Sequence, residues 1–484
     1  MSVSELTSRR RLLVLGICCM SLLIVSLDNT ILNVALPSIG RELGASVSGL
    51  QWAIDAYTLV LASLLMLAGS TADRIGRRRV FMAGLVLFTL GSALCSLAPS
   101  LELLVVFRMV QAVGGSMLNP VAMSIITNTF TDPAERARAI GVWGGVVGIS
   151  MAAGPLVGGL LVDSVGWRSV FWVNIPVGLL ALLLTWRYVQ ESRAPKPRRA
   201  DPVGQVLIIV LLGSLTYAII ETDPVAGVVA ALALLGVLFY EPRRQEPLID
   251  LRFFRSAPFS GATVIAIAAF AALGGFLFMN TLYLQEVRGY DALHAGLYML
   301  PMAAVTLVAA PLSGRLVGSL GPRLPLLVAG AAMAASGVLF AAFEAETSNT
   351  LLFTGYVLFG LGFGMVNAPI TNTAVSGMPR SQAGVAAAVA STSRQIGQTL
   401  GVAVIGTVLA TGVSLGLGTV AQSAARTDAF LAASRPAWWI IAACGAVVLL
   451  VGAATTGRWA RHTAFACAVR LQEPEVAQEP SRTG

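Results

Sequence analysis

Two aspartates and an arginine stand where a charged side chain is expensive. Asp28, in Leu27-Asp28-Asn29-Thr30, Asp55 and Arg108 each interrupt an apolar run in the first part of the chain. An ionisable group inside a membrane span costs about 2.5–3.5 kcal/mol on insertion scales, so it normally faces a cavity or a partner. A carboxylate in an apolar, partly wet cavity holds its proton toward neutral pH, whereas a nearby guanidinium drives the proton off. A carboxylate that moves relative to an arginine as two bundles rock would therefore switch its proton affinity, which is the physical requirement for coupling a proton to a cargo. The other reading of the same residues is a static Asp–Arg pair that only holds helices together. Asn29 and Asn33 lie one turn apart beside Asp28, Gln51 and Trp52 share a face with Asp55, and Gln111 shares one with Arg108. Arg394, with Gln395 and Gln398, is the charged site embedded in the second half, open to pairing with an acid across a cavity, substrate contact or plain packing.

The elements that must position these residues are membrane helices. Of the 484 residues 56% are apolar and only 12% are Asp, Glu, Lys or Arg; a soluble domain carries about 25% charged residues. A water-soluble fold, a disordered chain and a disulfide scaffold are excluded, the last because there are only 5 cysteines. A bilayer core needs about 20 apolar residues per helix. Apolar runs occupy 12–34, 49–70, 80–98, 102–127, 139–162, 169–187, 204–222, 225–240, 259–284, 294–317, 324–343, 350–375, 384–413 and 436–456. The eighth is short and the thirteenth polar near its middle, so thirteen or twelve spans are the alternatives to fourteen. Arg9-Arg10-Arg11 before an apolar stretch imitates a signal peptide, but no small-residue cleavage site follows, and it reads as an uncleaved first span.

With the N-terminus inside, 25 of the 32 basic residues fall on inner segments and 5 on outer ones. Lys and Arg set orientation, so both termini are expected in the cytoplasm, and the net charge of +8 is a topology signal rather than a nucleic-acid footprint. The halves also echo each other. Ser48-Gly49-Leu50 recurs as Ala295-Gly296-Leu297, and Ala56 to Val60 as Ala304 to Val308. Gly69 matches Gly314, Met117 to Pro120 resembles Met365 to Pro369, and Pro133 matches Pro379. All five offsets lie close to 247, which places Gly275 opposite Asp28 and Met302 opposite Asp55. The expected organisation is a six-helix bundle with its inner linker (1–203), two inserted helices (204–240), a cytoplasmic loop (241–258), a second six-helix bundle (259–456) and a cytoplasmic tail (457–484). Parallel repeats of this kind are a transporter design, in which two bundles rock about a midplane site.

Two further stretches carry specific signals. In the inner loop Gly69-Ser-Thr-Ala-Asp73-Arg74-Ile-Gly76-Arg77-Arg78-Arg79, the glycines permit a tight turn and Asp73 accepts charge-assisted hydrogen bonds. A latch that forms in one rocking state and breaks in the other follows; positive-inside anchoring alone explains the arginines but not the acid. In Gly154-Pro155-Leu-Val-Gly158-Gly159, proline kinks the helix and small residues allow close backbone approach. A rigid helix–helix seam is expected there.

Together these residues resemble the fourteen-span drug:proton antiporter family of the major facilitator superfamily. The loop Gly-x3-Asp-Arg-x-Gly-Arg-Arg lies at 69–78. The first-span signature runs from Leu27-Asp28-x-Thr30 through Asn33-Val34-Ala35-Leu36-Pro37. Arg108-x2-Gln111 with Gly114-Gly115 matches the fourth-span signature, with Ala112 where Gly is usual, and the antiporter signature ends in Gly154-Pro155-x2-Gly158-Gly159, with Ser150 where Gly is usual. Arg394-Gln395-Ile396-Gly397 and Ala295 to Met302 look like the methylenomycin A resistance type. The resemblance implies an all-α major facilitator fold of two six-helix bundles plus two inserted helices. It further implies proton-coupled efflux of small lipophilic or cationic drugs, with Asp28 and Asp55 handling protons or cations, Asp73 in the latch and Gly154-Pro155 favouring antiport. The expected partners are a small-molecule substrate, protons and the bilayer of the cytoplasmic membrane, with no nucleic acid and the oligomeric state open. The proton motive force is the expected drive, with no cofactor and no metal. Lys196, the only lysine, sits between two prolines and forms no phosphate loop; the histidines and cysteines form no metal or nucleophile frame, which argues against an enzyme. The competing reading is export of one endogenous metabolite, lipid or glycan precursor.

Overall fold

The computed structural model describes residues 7–194, 201–244, 247–344, 346–376, 378, 382–416 and 423–476. Lys196 and the repeat partner Pro379 lie outside these residues. Among the described residues, fourteen helices are long and apolar enough to cross a membrane. The first six are α1 (Ser8–Leu43), α2 (Val47–Ile75), α3 (Arg77–Ser96), α4 (Leu101–Thr129), α5 (Arg138–Ser164) and α6 (Ser169–Tyr188). A hairpin follows, α7 (Pro202–Ile220) and α8 (Pro224–Arg243). The last six are α9 (Ala257–Val287), α10 (Ala292–Leu320), α11 (Arg323–Ala341), α12 (Asn349–Val375), α13 (Val385–Gly412) and α14 (Thr427–Thr455). A fifteenth helix, α15 (Arg458–Val476), closes the described chain.

Local chemistry fixes the ends. Ser46, Ser100, Asp201, Asp223 and Ser348 each cap a helix by accepting a backbone N–H, satisfying donors that have no intrahelical partner. Pro202 and Pro224 stand at the first position of α7 and α8, where a missing N–H costs nothing. The sixth span, expected as one run, is interrupted at Val173 into Ser169–Trp172 and Asn174–Tyr188.

Because the number of crossings is even, both ends of the described chain lie at one face of the bundle, here called the terminal face. Helices α1–α6 pack on one another, as do α9–α14, and two seams join the groups: α2 against α13 and α5 against α10. The hairpin is pinned to both sides of the first seam. Gln205 Nε2 donates to the Ser63 carbonyl of α2 at 2.6 Å, and Thr407 Oγ1 of α13 donates to the Ile219 carbonyl at 3.0 Å. On the terminal side of α5, no neighbouring atom of the described residues comes within 4 Å of a Cβ built on Gly141, Gly144 or Gly145. Toward the opposite face the halves are tied together by Arg41–Glu286 at 3.2 Å, by Gln285 Nε2 donating to the Val34 carbonyl at 2.9 Å, and by Asp163 accepting the Leu293 N–H at 2.7 Å.

Candidate functional site

Asp28 and Arg108 meet in the core of the first bundle. Both side chains are 1% exposed, and Arg108 Nη1 donates to Asp28 Oδ2. The other carboxylate oxygen, Oδ1, accepts from Gln111 Nε2 at 2.9 Å and from Asn174 Nδ2 at 2.8 Å. Ser92 Oγ accepts from the same two amides, at 2.7 and 3.3 Å. The guanidinium also donates to Gln111 Oε1 at 2.8 Å and to the Ala53 carbonyl at 3.3 Å, and lies 4.2 Å from the Tyr57 ring centroid. Five helices therefore converge on one ion pair. A buried pair offsets the desolvation of its charges only when further hydrogen bonds satisfy it, and here Asp28 has three donors.

Asp55 has the opposite setting. It is fully buried on α2, and neither carboxylate oxygen has a hydrogen-bond partner among the described residues. Its neighbours on that face grip the other half of the molecule. One turn before it, Gln51 Nε2 donates to the carbonyls of Val402 and Ala403, at 3.2 and 2.8 Å. Three residues after it, Thr58 Oγ1 accepts from Thr399 Oγ1 at 2.8 Å. Asp55 thus lies in the α2–α13 seam, between two contacts that must break if the seam opens.

Arg394 pairs with no acid among the described residues; the carboxylate partner left open by the sequence is absent there. Its guanidinium donates to hydroxyls instead, to Thr371 Oγ1 of α12 and to Ser391 Oγ at 3.4 Å, and its Nε has no partner among the same residues. Asn33 turns onto its own helix, donating to the Asn29 carbonyl at 2.9 Å, and does not join the Asp28 cluster.

Helix α5 is wedged between both halves by its small residues. A Cβ on Gly154 would stand 2.0 Å from Thr30 Oγ1, and one on Gly158 would stand 2.7 Å from Ile31 of α1. One on Gly159 would stand 2.5 Å from the Ala292 carbonyl, and one on Gly296 of α10 would stand 2.2 Å from the Pro155 carbonyl. Ser150 keeps its hydroxyl on the Val146 carbonyl at 2.9 Å and fits without opening the seam.

At the terminal face Asp73 Oδ1 accepts from Arg77 Nε and Nη2, at 3.1 and 2.9 Å. Gly76 turns the chain at φ 130°, a region open chiefly to glycine. A Cβ there would also collide with Glu191, 2.6 Å away, whose carboxylate accepts the N–H groups of Arg78 at 3.1 Å and Arg79 at 3.3 Å. An anion at a helix N-terminus is stabilised by the unsatisfied donors and the dipole. Arg78 Nη2 reaches the Trp186 carbonyl, whereas Arg74 is exposed. Gly69 faces Pro120 of α4 at 3.7 Å. These bonds all lie within the first bundle.

Sequence reasoning missed Ser92, Asn174, Tyr57, Thr399 and Glu191. Only Glu191 left a signal, as a lone acid at the head of a basic segment. No group of three or more His, Cys, Asp or Glu among the described residues is placed to hold a metal.

Comparisons with known proteins agree with this architecture. The family model described as Major Facilitator Superfamily matches residues 18–402. A multidrug resistance protein, Stp, of Mycobacterium tuberculosis is 39% identical over 416 residues, 84% of this chain and 77% of that protein. A tetracenomycin C resistance and export protein of Streptomyces glaucescens is 38% identical, over 81% of this chain and 74% of its own length. The methylenomycin A resistance protein of Streptomyces coelicolor is 34% identical, covering 86% of this chain and 90% of that protein. Among solved structures, an inward-facing bacterial homologue of the human lysosomal transporter Spinster superposes with a TM-score of 0.68 at 18% identity, over 94% of this chain and 99% of that one; this likeness concerns the fold.

Proposed function

The chain belongs to the major facilitator superfamily, a family of membrane transporters, and from that premise we propose that it exports small lipophilic or cationic drugs in exchange for protons. The drug-resistance relatives support the cargo class. The observation that carries the coupling is the contrast between two buried carboxylates on adjacent helices. Asp28 is saturated by Arg108, Gln111 and Asn174, whereas Asp55 has no partner for either oxygen among the described residues. An ionised carboxylate buried without a partner is costly enough that such groups neutralise instead, so in this arrangement Asp55 holds its proton. Separating α2 from α13 breaks the Gln51 and Thr58 contacts, admits water to Asp55 and lets the proton leave. Pairs of titratable groups in opposed environments are the arrangement by which acid and base roles are divided.

In this reading the terminal face is cytoplasmic, as the distribution of arginines requires. Asp73–Arg77 and Glu191, bonded inside the first bundle in this state, are then the inner-face groups free to re-pair across to the second bundle as a latch, and the α5–α10 seam closes the outer end. A total driving force of ~150 mV supplies ~3.5 kcal/mol per proton, enough for a substrate gradient of a few hundredfold. Purified protein in liposomes, loaded with a pH dye and given a lipophilic cation such as ethidium, tests the proposal. Proton movement with each addition is expected, lost in Asp55→Asn although the variant still binds the cation. Efflux that persists after both the pH gradient and the potential are collapsed would overturn it.

A further inference from the structure

A cavity of about 500 Å³, apolar except for Ser63 and Thr392, lies away from the ionic cluster, where the inserted hairpin meets the first seam. That volume falls in the range of small-molecule sites. Its inner wall is Ala62 of α2 with Ile208 and Leu212 of α7, each no more than 8% exposed. Its mouth is formed by Leu234 and Leu238 of α8 and by Phe254, which are 45%, 47% and 40% exposed. Thr392 and Ile396 of α13 complete it, so α2 and α13, from opposite bundles, share one empty apolar space. The cavity lies toward the terminal face, because Leu248, Ile249 and Leu251 of the segment between α8 and α9 also line it.

The end of α8 and that same segment carry Arg243, Arg244, Arg252 and Arg255, all exposed. Arg252 is held by Asp250 at 2.8–3.1 Å, and Arg244 lies 3.9 Å from Asp201. Arg243 donates to the Phe239 carbonyl and Arg255 forms no ion pair, which leaves two guanidinium groups at the membrane–water boundary without a carboxylate among the described residues. Basic side chains next to a membrane span attract anionic lipid headgroups, and an uncharged lining takes an acyl chain.

We infer that this cavity is a lipid site: one acyl chain of an anionic phospholipid inserts between the hairpin, α2 and α13, with its headgroup on Arg243 and Arg255. A chain there bridges both bundles along the α2–α13 seam, so the bound lipid biases the rocking equilibrium. Native mass spectrometry of protein taken from phosphatidylglycerol and from phosphatidylcholine nanodiscs tests this. The expected result is one retained phosphatidylglycerol, lost in Leu212→Trp and in Leu234→Trp, two independent variants that fill the cavity. Arg243→Ala/Arg255→Ala is expected to erase the preference over phosphatidylcholine while thermal unfolding stays unchanged. Retention unaltered by both tryptophan variants marks ordinary annular lipid and overturns the site. Stoichiometric displacement of the lipid by ethidium overturns it as well, since the cavity would then be a drug site. The outcome does not depend on proton coupling, because retention is read without transport.

Discussion

The two bundles solve the same packing problem with opposite chemistry. In the first, α1, α3, α4 and α6 converge on the Asp28–Arg108 pair, held by amides and a serine. At the equivalent place in the second bundle Gly275 stands opposite Asp28, and its neighbour Phe276 stacks on Phe359 with ring centroids 4.2 Å apart. Phe340 stacks on Trp438 at 4.7 Å, and within this aromatic group Tyr356 donates to Asn280 Oδ1 at 2.6 Å. An aromatic core keeps one arrangement because any other leaves a void. An ionic core has a second arrangement whenever a proton or a cation replaces the guanidinium. Under the proposed exchange, the first bundle is the one whose core has a second arrangement to adopt, and the second is the body it moves against.

The comparison breaks if charge removal in the first bundle proves as mild as ring trimming in the second. Arg108→Ala is expected to be most damaging: it leaves Asp28 buried and unpaired, at about 3–5 kcal/mol. Efflux should vanish and the thermal unfolding temperature should fall, both measurable on detergent-purified protein. Asp28→Asn keeps the amide contacts and removes the carboxylate; expression is expected to survive while proton-coupled efflux is lost. Wild-type transport in that variant would reduce the cluster to helix glue. Phe276→Leu sharpens the contrast from the other side, costing about 1–3 kcal/mol of stability through lost packing with transport retained once folded. A smaller effect separates the two seams, which the repeat relates through Gly159 and Gly406. A Cβ at 159 meets backbone, which cannot give, whereas one at 406 meets the Gln51 side chain at 2.5–2.7 Å, which can shift at the expense of its bonds to Val402 and Ala403. Gly159→Ala should therefore slow efflux more than Gly406→Ala in a dye-extrusion assay. Smallest is Asp73→Asn, expected to lower turnover with cargo binding kept; lost binding would count against a latch.

The membrane helices were legible because bilayer thickness dictates their length and the chain has few charges to spare. Asp28, Asp55 and Arg108 were legible by type, since an ion among apolar residues survives only beside a partner or water. Their partners were not. Ser92 and Asn174 are ordinary polar residues until α3 and α6 bring them beside Asp28; the break at Val173 has a sequence cause in Pro176, which has no N–H to give the Trp172 carbonyl, but the proline does not say what Asn174 will face. The hydroxyl partners of Arg394 were hidden for the same reason: Thr371 lies on another helix, and threonines are common in membrane spans. Glu191 caps α3 from more than a hundred residues away, a relation only the folded chain displays.

The grip of Gln51 on α13 has an outcome for sequence variation. Its amide holds the main-chain oxygens of Val402 and Ala403, not their side chains. Changes at those two buried positions therefore reach the clasp only through packing and leave its acceptors in place, while the glutamine itself has no substitute of equal reach and donor geometry.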